Sequence, residues 1–480
     1  MGDKPSTKTV EISPTNVRWG FLTAAQYSNI DKTNLTTLRE LIKTNIDVNI
    51  QNKEGFTALM LAAWYSNTTS TEKTVKMLIE AGADVNLQDK EGWTALMFAA
   101  RNSNTTSTEK TVKMLIKAGA KLDIQDKEGW TALNKAARYS NTDSTGKTVK
   151  MLIKSGADVN LQTKDGWTAL MLAAEYSNTD STEKTVKMLI KAGTKANVNL
   201  QNKYGGTALM LAARNSNTDS TEKTVKMLIQ AGAKLDIQDE DGWTALMKAA
   251  GFSNTASTEK TVKILIQAGA KLDIQNGKGL TALMLSARSS KNELTGSNDL
   301  IDSTEGTVRM LIKSGADVNL QTKNGQTALM RAARYSNTES TENTVKMLIE
   351  AGADVNLQNE NGWTALMRAV QYSTEKTVKM LIEAGADVNL QNEEGMTALM
   401  LATDFTEDTV KMFIRAGADL ENIDKLPQNI QITIYKWKID RLTEENEVLT
   451  LRVDYLEGGP ISSKAREEAF RQFEEDILKH

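Results

Sequence analysis

The segment from Gly92 to Asp126 reads GWTALMFAARNSNTTSTEKTVKMLIKAGAKLDIQD, and near-copies of it recur from about Glu54 to about Asn392. A chain built this way is constrained to a repeat architecture, in which each unit buries its apolar face against its neighbours. The Thr-Ala-Leu triplet sets the phase, starting at Thr57, Thr94, Thr131, Thr168, Thr207, Thr244, Thr281, Thr327, Thr364 and Thr397. The commonest step is 37 residues, broken by steps of 39 into Thr207, 46 into Thr327 and 33 into Thr397. Gly20 to Asn29 with Leu38 to Val48 repeats the pattern loosely, which gives ten clear units and one worn one.

Within a unit, Thr94 is a cap residue ahead of Ala95 to Arg101, where Leu96, Ala99 and Ala100 share one helical stripe. A polar run, Asn102 to Thr108, follows. Thr106 and Glu109 have the T-x-x-E spacing of a capping box before Val112, Met114, Leu115 and Ile116, which predicts a second helix richer in core residues. Gly119 stands where a left-handed residue ends that helix, and Leu122, Ile124 and Gly129 carry an extended, tight-turning link onward. The unit is helix, turn, helix, hairpin-like loop.

The run G-x-T-A-L-M-x-A-A followed by V-x-M-L-I-x-x-G-A-D-V-N resembles the ankyrin repeat, and Ala365 to Asn389 matches it almost at the usual length. Two departures stand out. The family's usual Pro and His are replaced by residues such as Ala95 and Met97, and most units carry four extra residues between the helices. Losing Pro gives up a pre-set first helical position, and Met exchanges a polar link for apolar packing. The fold class expected is therefore all-α: an ankyrin solenoid with enlarged inter-helix turns over residues 20–424, after an extension over 1–19 and before a helical tail over 425–480.

The 58 basic and 61 acidic residues leave a net charge of −3, so no global field attracts nucleic acid or anionic lipid. No apolar run approaches a membrane span and Met1 to Trp19 is polar, which points to a soluble, cytoplasmic protein. With no cysteine, stability comes from stacking rather than disulfides. Catalysis is not expected. The one histidine is His480, the terminal residue; no P-loop or G-x-G-x-x-G is present, and Glu240 with Asp241 falls in a solvated loop tip. DVNLQNENG lacks the calcium-loop spacing, Gly362 falling one place late, so neither metal nor cofactor is expected.

Binding is the remaining class. In an ankyrin stack the first helices line the concave face, and the resemblance places variable positions there. One set follows the Met: Leu61, Phe98, Lys135, Leu172, Leu211, Lys248, Leu285, Arg331, Arg368 and Leu401. A second includes Trp64, Arg101, Arg138, Glu175, Arg214 and Arg334, with Tyr139, Tyr176 and Tyr335 beside it. Trp93, Trp130, Trp167, Trp243 and Trp363 follow the loop glycines, either as a binding ridge or as structural wedges. Arg and aromatic residues are what interface hot spots favour, so the partner expected is a protein or peptide with acidic and apolar side chains. Glu175 interrupts any continuous phosphate track.

Two breaks in regularity remain. Ser289 to Ser303 lengthens one turn and reads as a surface loop. Beyond Asp424, the residues Ile432, Tyr435, Ile439, Leu442, Asn446, Leu449, Val453 and Leu456 alternate by three and four, a heptad seam with a polar Asn446. It serves either self-association as a homodimer or a lone helix capping the last repeat. Gly458-Gly459-Pro460 ends it, and a short helix is expected over Ser463 to Leu478. This ending resembles tails on ankyrin proteins of large DNA viruses that infect amoebae, which would imply a host cytoplasm. Leu426-Pro427-Gln428-Asn429-Ile430, with Ile434, is similar to the opening of an F-box, which would imply an adaptor recruiting a ubiquitin ligase.

Overall fold

The computed structural model describes residues 14–192, 197–288, 303–338, 340–402, 406–421, 423 and 426–457, without the side chains of 14–17 and 444–457. All regular structure among the described residues is helical. Two compact units are present: Met1–Ala332 with Thr338–Gly352, and Ala333–Asn337 with Ala353–His480.

In the first unit, short helices such as Ala58–Trp64, Ala95–Arg101, Ala132–Arg138, Ala169–Glu175, Ala208–Arg214 and Ala245–Gly251 stack in sequence order. Longer helices such as Glu72–Glu80, Glu109–Lys117 and Gly146–Lys154 form a second row beside them. Thr94 caps its helix as expected, its hydroxyl accepting the Met97 N–H. The single apolar stripe expected for the short helix is wider than that, because Ala95 through Ala100 are all buried. Neighbouring units sandwich the helix on both sides, and only Arg101 at its end reaches solvent. Met97 is buried, consistent with apolar packing in place of a polar link. In one unit Asn134 takes the Met position and accepts from the Thr131 N–H, closing a polar cap.

The second helix starts differently from the expected capping box. Thr108, not Thr106, is its cap and accepts from the Thr111 N–H. With the start moved two residues on, Glu109 is the first helical residue and cannot reach back. Its carboxylate accepts instead from the Thr145 hydroxyl of the next unit, 2.8 Å away.

Three polar ladders join successive units. Thr111 donates to the Ser66 hydroxyl at 2.6 Å, and Thr148 to Ser103 at 2.7 Å, all four being buried. Asn67 donates its N–H to Thr106 and its side-chain amide to Thr105, a pattern that recurs at Asn104, Asn141 and Asn178. The four extra turn residues therefore hold the units together rather than merely lengthening the chain. Gln88 bridges its own Gly92 carbonyl and the Gln125 carbonyl one unit on. Gly92 lies between these contacts at φ +84°, and a Cβ there would sit 2.9 Å from the Asp126 Cα. Only glycine allows the loops to approach so closely.

The helix expected to open near residue 20 begins at Pro14 and runs to Gln26. The inserted turn falls on 289–302, and the extra residues behind the step of 39 into Thr207, within Gly193 to Val198, fall largely on 193–196, outside the described residues. So does the short helix expected beyond Ser463.

In the second unit, Ala365–Tyr372 is followed directly by Glu375–Glu383, with no extra turn, and then by Glu407–Arg415. The tail helix Gln428–Glu457 packs on Glu407–Arg415, burying Ile430 and Ile434 completely. The heptad segment is thus one continuous helix, but its seam is not the packed face: Ile432, Tyr435, Ile439 and Leu442 are 49%, 47%, 52% and 36% exposed. The side chains of Asn446, Leu449, Val453 and Leu456 lie outside the described ones.

Candidate functional site

Two positions of each unit build a common surface: the loop tip before the short helix, and the end of that helix. At the loop tip an Asp or Asn accepts backbone N–H groups two and four residues on, and where Thr163 or Thr322 stands there its hydroxyl accepts the one four residues on. Asp126 does so for Glu128 and Trp130 at 3.0 and 2.8 Å. Its second oxygen accepts from the Lys135 ammonium at 2.7 Å, with the two side chains only 4% and 6% exposed. The ammonium also lies 3.4 Å from the centre of the Trp93 ring and 5.3 Å from that of Trp130. Burial pushes the Lys135 pKa down, and the Asp126 carboxylate opposes this. Lys248 repeats the arrangement with Asp239 at 2.8 Å and Trp243 at 4.9 Å.

This coupling was legible in the sequence as a nine-residue spacing that the expectations did not use. Asp126 and Asp239 precede Lys135 and Lys248, whereas Asn52, Thr163, Asn202, Asn276 and Asn392 precede leucines. Asp89 breaks the rule, because it faces Phe98. Burial pushes its carboxyl up, and Phe98 packs instead against Trp93 and Trp64, each 4.8 Å away between ring centres. Phe56 and Tyr65 extend this cluster. The set of positions after the Met is therefore not a surface row throughout: Leu61, Phe98, Lys135, Leu172 and Leu285 are buried beneath the loop tips.

At the helix end the expected arginines are brought together with aromatic rings of the following unit, 38 residues on. Arg101 lies 5.0 Å from Tyr139, Arg138 3.2 Å from Tyr176 and Arg214 5.2 Å from Phe252. In the second unit Arg334 lies 4.9 Å from Tyr372 and 5.2 Å from Tyr335. Arg101 also lies 5.8 Å from Trp93. A guanidinium over a ring in this way is attracted to the ring face without being neutralised. Arg138 is also paired with an internal carboxylate, that of Asp180. Among the described residues, Arg101, Arg214 and Arg334 have no carboxylate within ion-pair distance.

Trp93, Trp130, Trp167, Trp243 and Trp363 are all half-buried. Arg368 in the second unit stacks 4.2 Å from Trp363 and faces Asn359 rather than an acid. Burial, then the neighbouring Arg334, push its pKa down. Glu175 takes the arginine position in one unit. Burial pushes its carboxyl up, partly countered by Arg138 and Arg214, and one of its oxygens is enclosed without a hydrogen-bond partner.

The long-helix row has its own charge pattern, which the expectations missed. Glu72, Glu109, Glu183 and Glu222 each pair with the lysine of the next unit, Lys110, Lys147, Lys223 and Lys260. Gly146 interrupts the series ahead of Lys184, and Lys184 lines a groove with Lys150, Lys154, Lys187 and Lys191. Leu426, Ile430 and Ile434, the residues with F-box-like spacing, are buried in the packing of the second unit. Among the described residues no group of acidic, His or Cys side chains could hold a metal, and no helix is long and apolar enough to cross a membrane.

The stacked helix pairs, their loop tips and the bonds between units define a repeat module of the protein-interaction class. The model of ankyrin repeats matches at 14–89, 66–160, 140–223, 218–301, 300–392 and 339–424, so the chain belongs to the ankyrin-repeat family. Such repeats are generally protein-protein interaction modules. The chain is similar to the ankyrin repeat domain of Bcl-3, described as a unique member of the IkappaB protein family. Identity is 25%, over 52% of this chain and 100% of that one, with a TM-score of 0.42. A search of curated proteins finds no match.

Proposed function

We propose that this chain is a non-enzymatic binding scaffold that takes acidic and apolar protein segments on its short-helix face. The observation that carries this reading is the set of guanidiniums over aromatic rings with no carboxylate within ion-pair distance among the described residues: Arg101 and Arg214 in one unit, Arg334 and Arg368 in the other. Such groups have already lost rotational freedom, so pairing with a carboxylate costs less entropy than for a loose surface arginine. The rings beside them, with the half-buried Trp93 and Trp64, supply apolar area for the same partner.

The test is fluorescence anisotropy with peptides that alternate Asp or Glu with aromatic residues, and with Asn and Gln versions as controls. Acidic peptides should bind at least ten times tighter than the neutral versions at low salt, an advantage that shrinks as salt screens the pairs. Replacing Arg101, Arg214, Arg334 and Arg368 by Glu should abolish that preference while circular dichroism is unchanged. Arg138→Gln should leave it intact, since Asp180 already occupies that guanidinium. Equal binding of acidic and neutral peptides overturns the proposal.

A further inference from the structure

We propose that the tail helix Gln428–Glu457 joins two copies of this chain as a parallel, in-register, two-stranded coiled coil. The helix carries two apolar faces. One is used internally, where Ile430 and Ile434 are buried against Glu407–Arg415. The other is the seam on which Ile432, Tyr435, Ile439 and Leu442 stand between 36% and 52% exposed. At about 100° per residue, the centre of that seam lies about 140° around the helix from the Ile430 and Ile434 face. The helix can therefore remain docked on its own repeat and offer the seam outward.

The chemistry of the seam selects a second copy as its occupant. In heptad register the a positions are Ile432, Ile439, Asn446 and Val453, and the d positions are Tyr435, Leu442, Leu449 and Leu456. β-Branched residues at a with leucine at d favour two strands, and one Asn at a fixes register. Orientation follows from Asn446. Parallel pairing sets Asn446 opposite its own copy, where the two amides satisfy each other. Antiparallel overlap of 432–456 sets Asn446 against Leu442 and leaves a buried amide without a partner. The flanking charges agree with the parallel arrangement. The g-to-e′ pairs are Gln431 with Lys436, Lys438 with Thr443, Glu445 with Thr450 and Arg452 with Glu457. One is attractive and none places like charges together.

The experiment uses the full chain. Light scattering should give twice the chain mass for the wild type at tens of micromolar, and a single-chain mass for the Ile439→Glu, Leu442→Glu double variant. Both residues are exposed, so circular dichroism should be unchanged. Since the chain has no cysteine, one introduced thiol reports geometry directly. Asn446→Cys should form a disulfide-linked dimer on mild oxidation, and Glu444→Cys, at an f position of the heptad, should not. A single-chain mass for the wild type, a dimer that survives the double substitution, or equal cross-linking from both cysteines overturns the proposal.

Discussion

Replacing Asp by Asn at two equivalent loop tips should have opposite consequences. In Asp126→Asn the amide oxygen still accepts the Glu128 and Trp130 N–H groups, as Asn52 and Asn276 do for their own loops, so the turn survives. What is lost is the carboxylate 2.7 Å from the Lys135 ammonium, whose side chain is 6% exposed. Removing one partner of a buried pair costs about 3–5 kcal/mol. The Trp93 face 3.4 Å from that ammonium is present before and after the change and offsets none of it, so a loss of about 3–5 kcal/mol is expected. At Asp89 the facing residue is Phe98 and burial pushes the carboxyl up, so Asp89→Asn should leave stability equal or higher at neutral pH. Because repeats open regionally, urea denaturation should be read together with amide hydrogen exchange over 94–138. The double variant Asp126→Asn, Lys135→Leu reproduces the native Asn202 and Leu211 combination and should recover most of the loss. If Asp126→Asn costs no more than Asp89→Asn, the buried pair does not govern this interface.

Glycines with nearly the same φ should differ sharply in their tolerance of alanine. Gly119 at +88° has open space around a new Cβ, so Gly119→Ala should cost about 1 kcal/mol of backbone strain. Gly92→Ala meets the backbone of Asp126 and Lys127 at 2.9 Å and should cost at least about 2 kcal/mol more. Equal denaturation midpoints for the two would remove the close-approach argument. Glu175 gives a pH prediction. Its folded pKa is raised, so folding takes up a proton and stability rises as pH falls from neutral through the range just above the ordinary glutamate value. Glu175→Gln should stabilise the protein at neutral pH and remove that rise; a variant with the wild-type pH profile contradicts it.

The sequence discloses the architecture readily because the 37-residue phase, the Thr caps and the helix-ending glycines each act locally. Thr94, Ala95–Arg101 and Gly119 fall where their own propensities place them. Features set between units were harder to read. Thr106 and Glu109 have a capping-box spacing, but Thr108 is two residues closer to the helix, and the Glu109 carboxylate finds Thr145 one unit away. Likewise the arginines and aromatics were visible, whereas the pairing of each arginine with a ring 38 residues on depends on how far one unit rises over the last. The tail seam was legible as spacing. That a second apolar face, Ile430 and Ile434, would be the one to dock depends on the neighbouring helix, not on the period.

The polar ladders carry a further consequence for how such a chain avoids misassembly. Ser66 to Thr111 and Ser103 to Thr148 are chemically the same coupling, so any unit could in principle dock on any other. Identical couplings make the array extensible by whole cassettes, yet they also make skipped or swapped neighbours nearly isoenergetic in the hydrogen-bonded part alone. The departures from uniformity then act as addresses. Trp93 covers the Lys135 ammonium and Arg101 expects Tyr139, so a unit that skipped its neighbour would leave a buried charge uncovered and a ring unstacked.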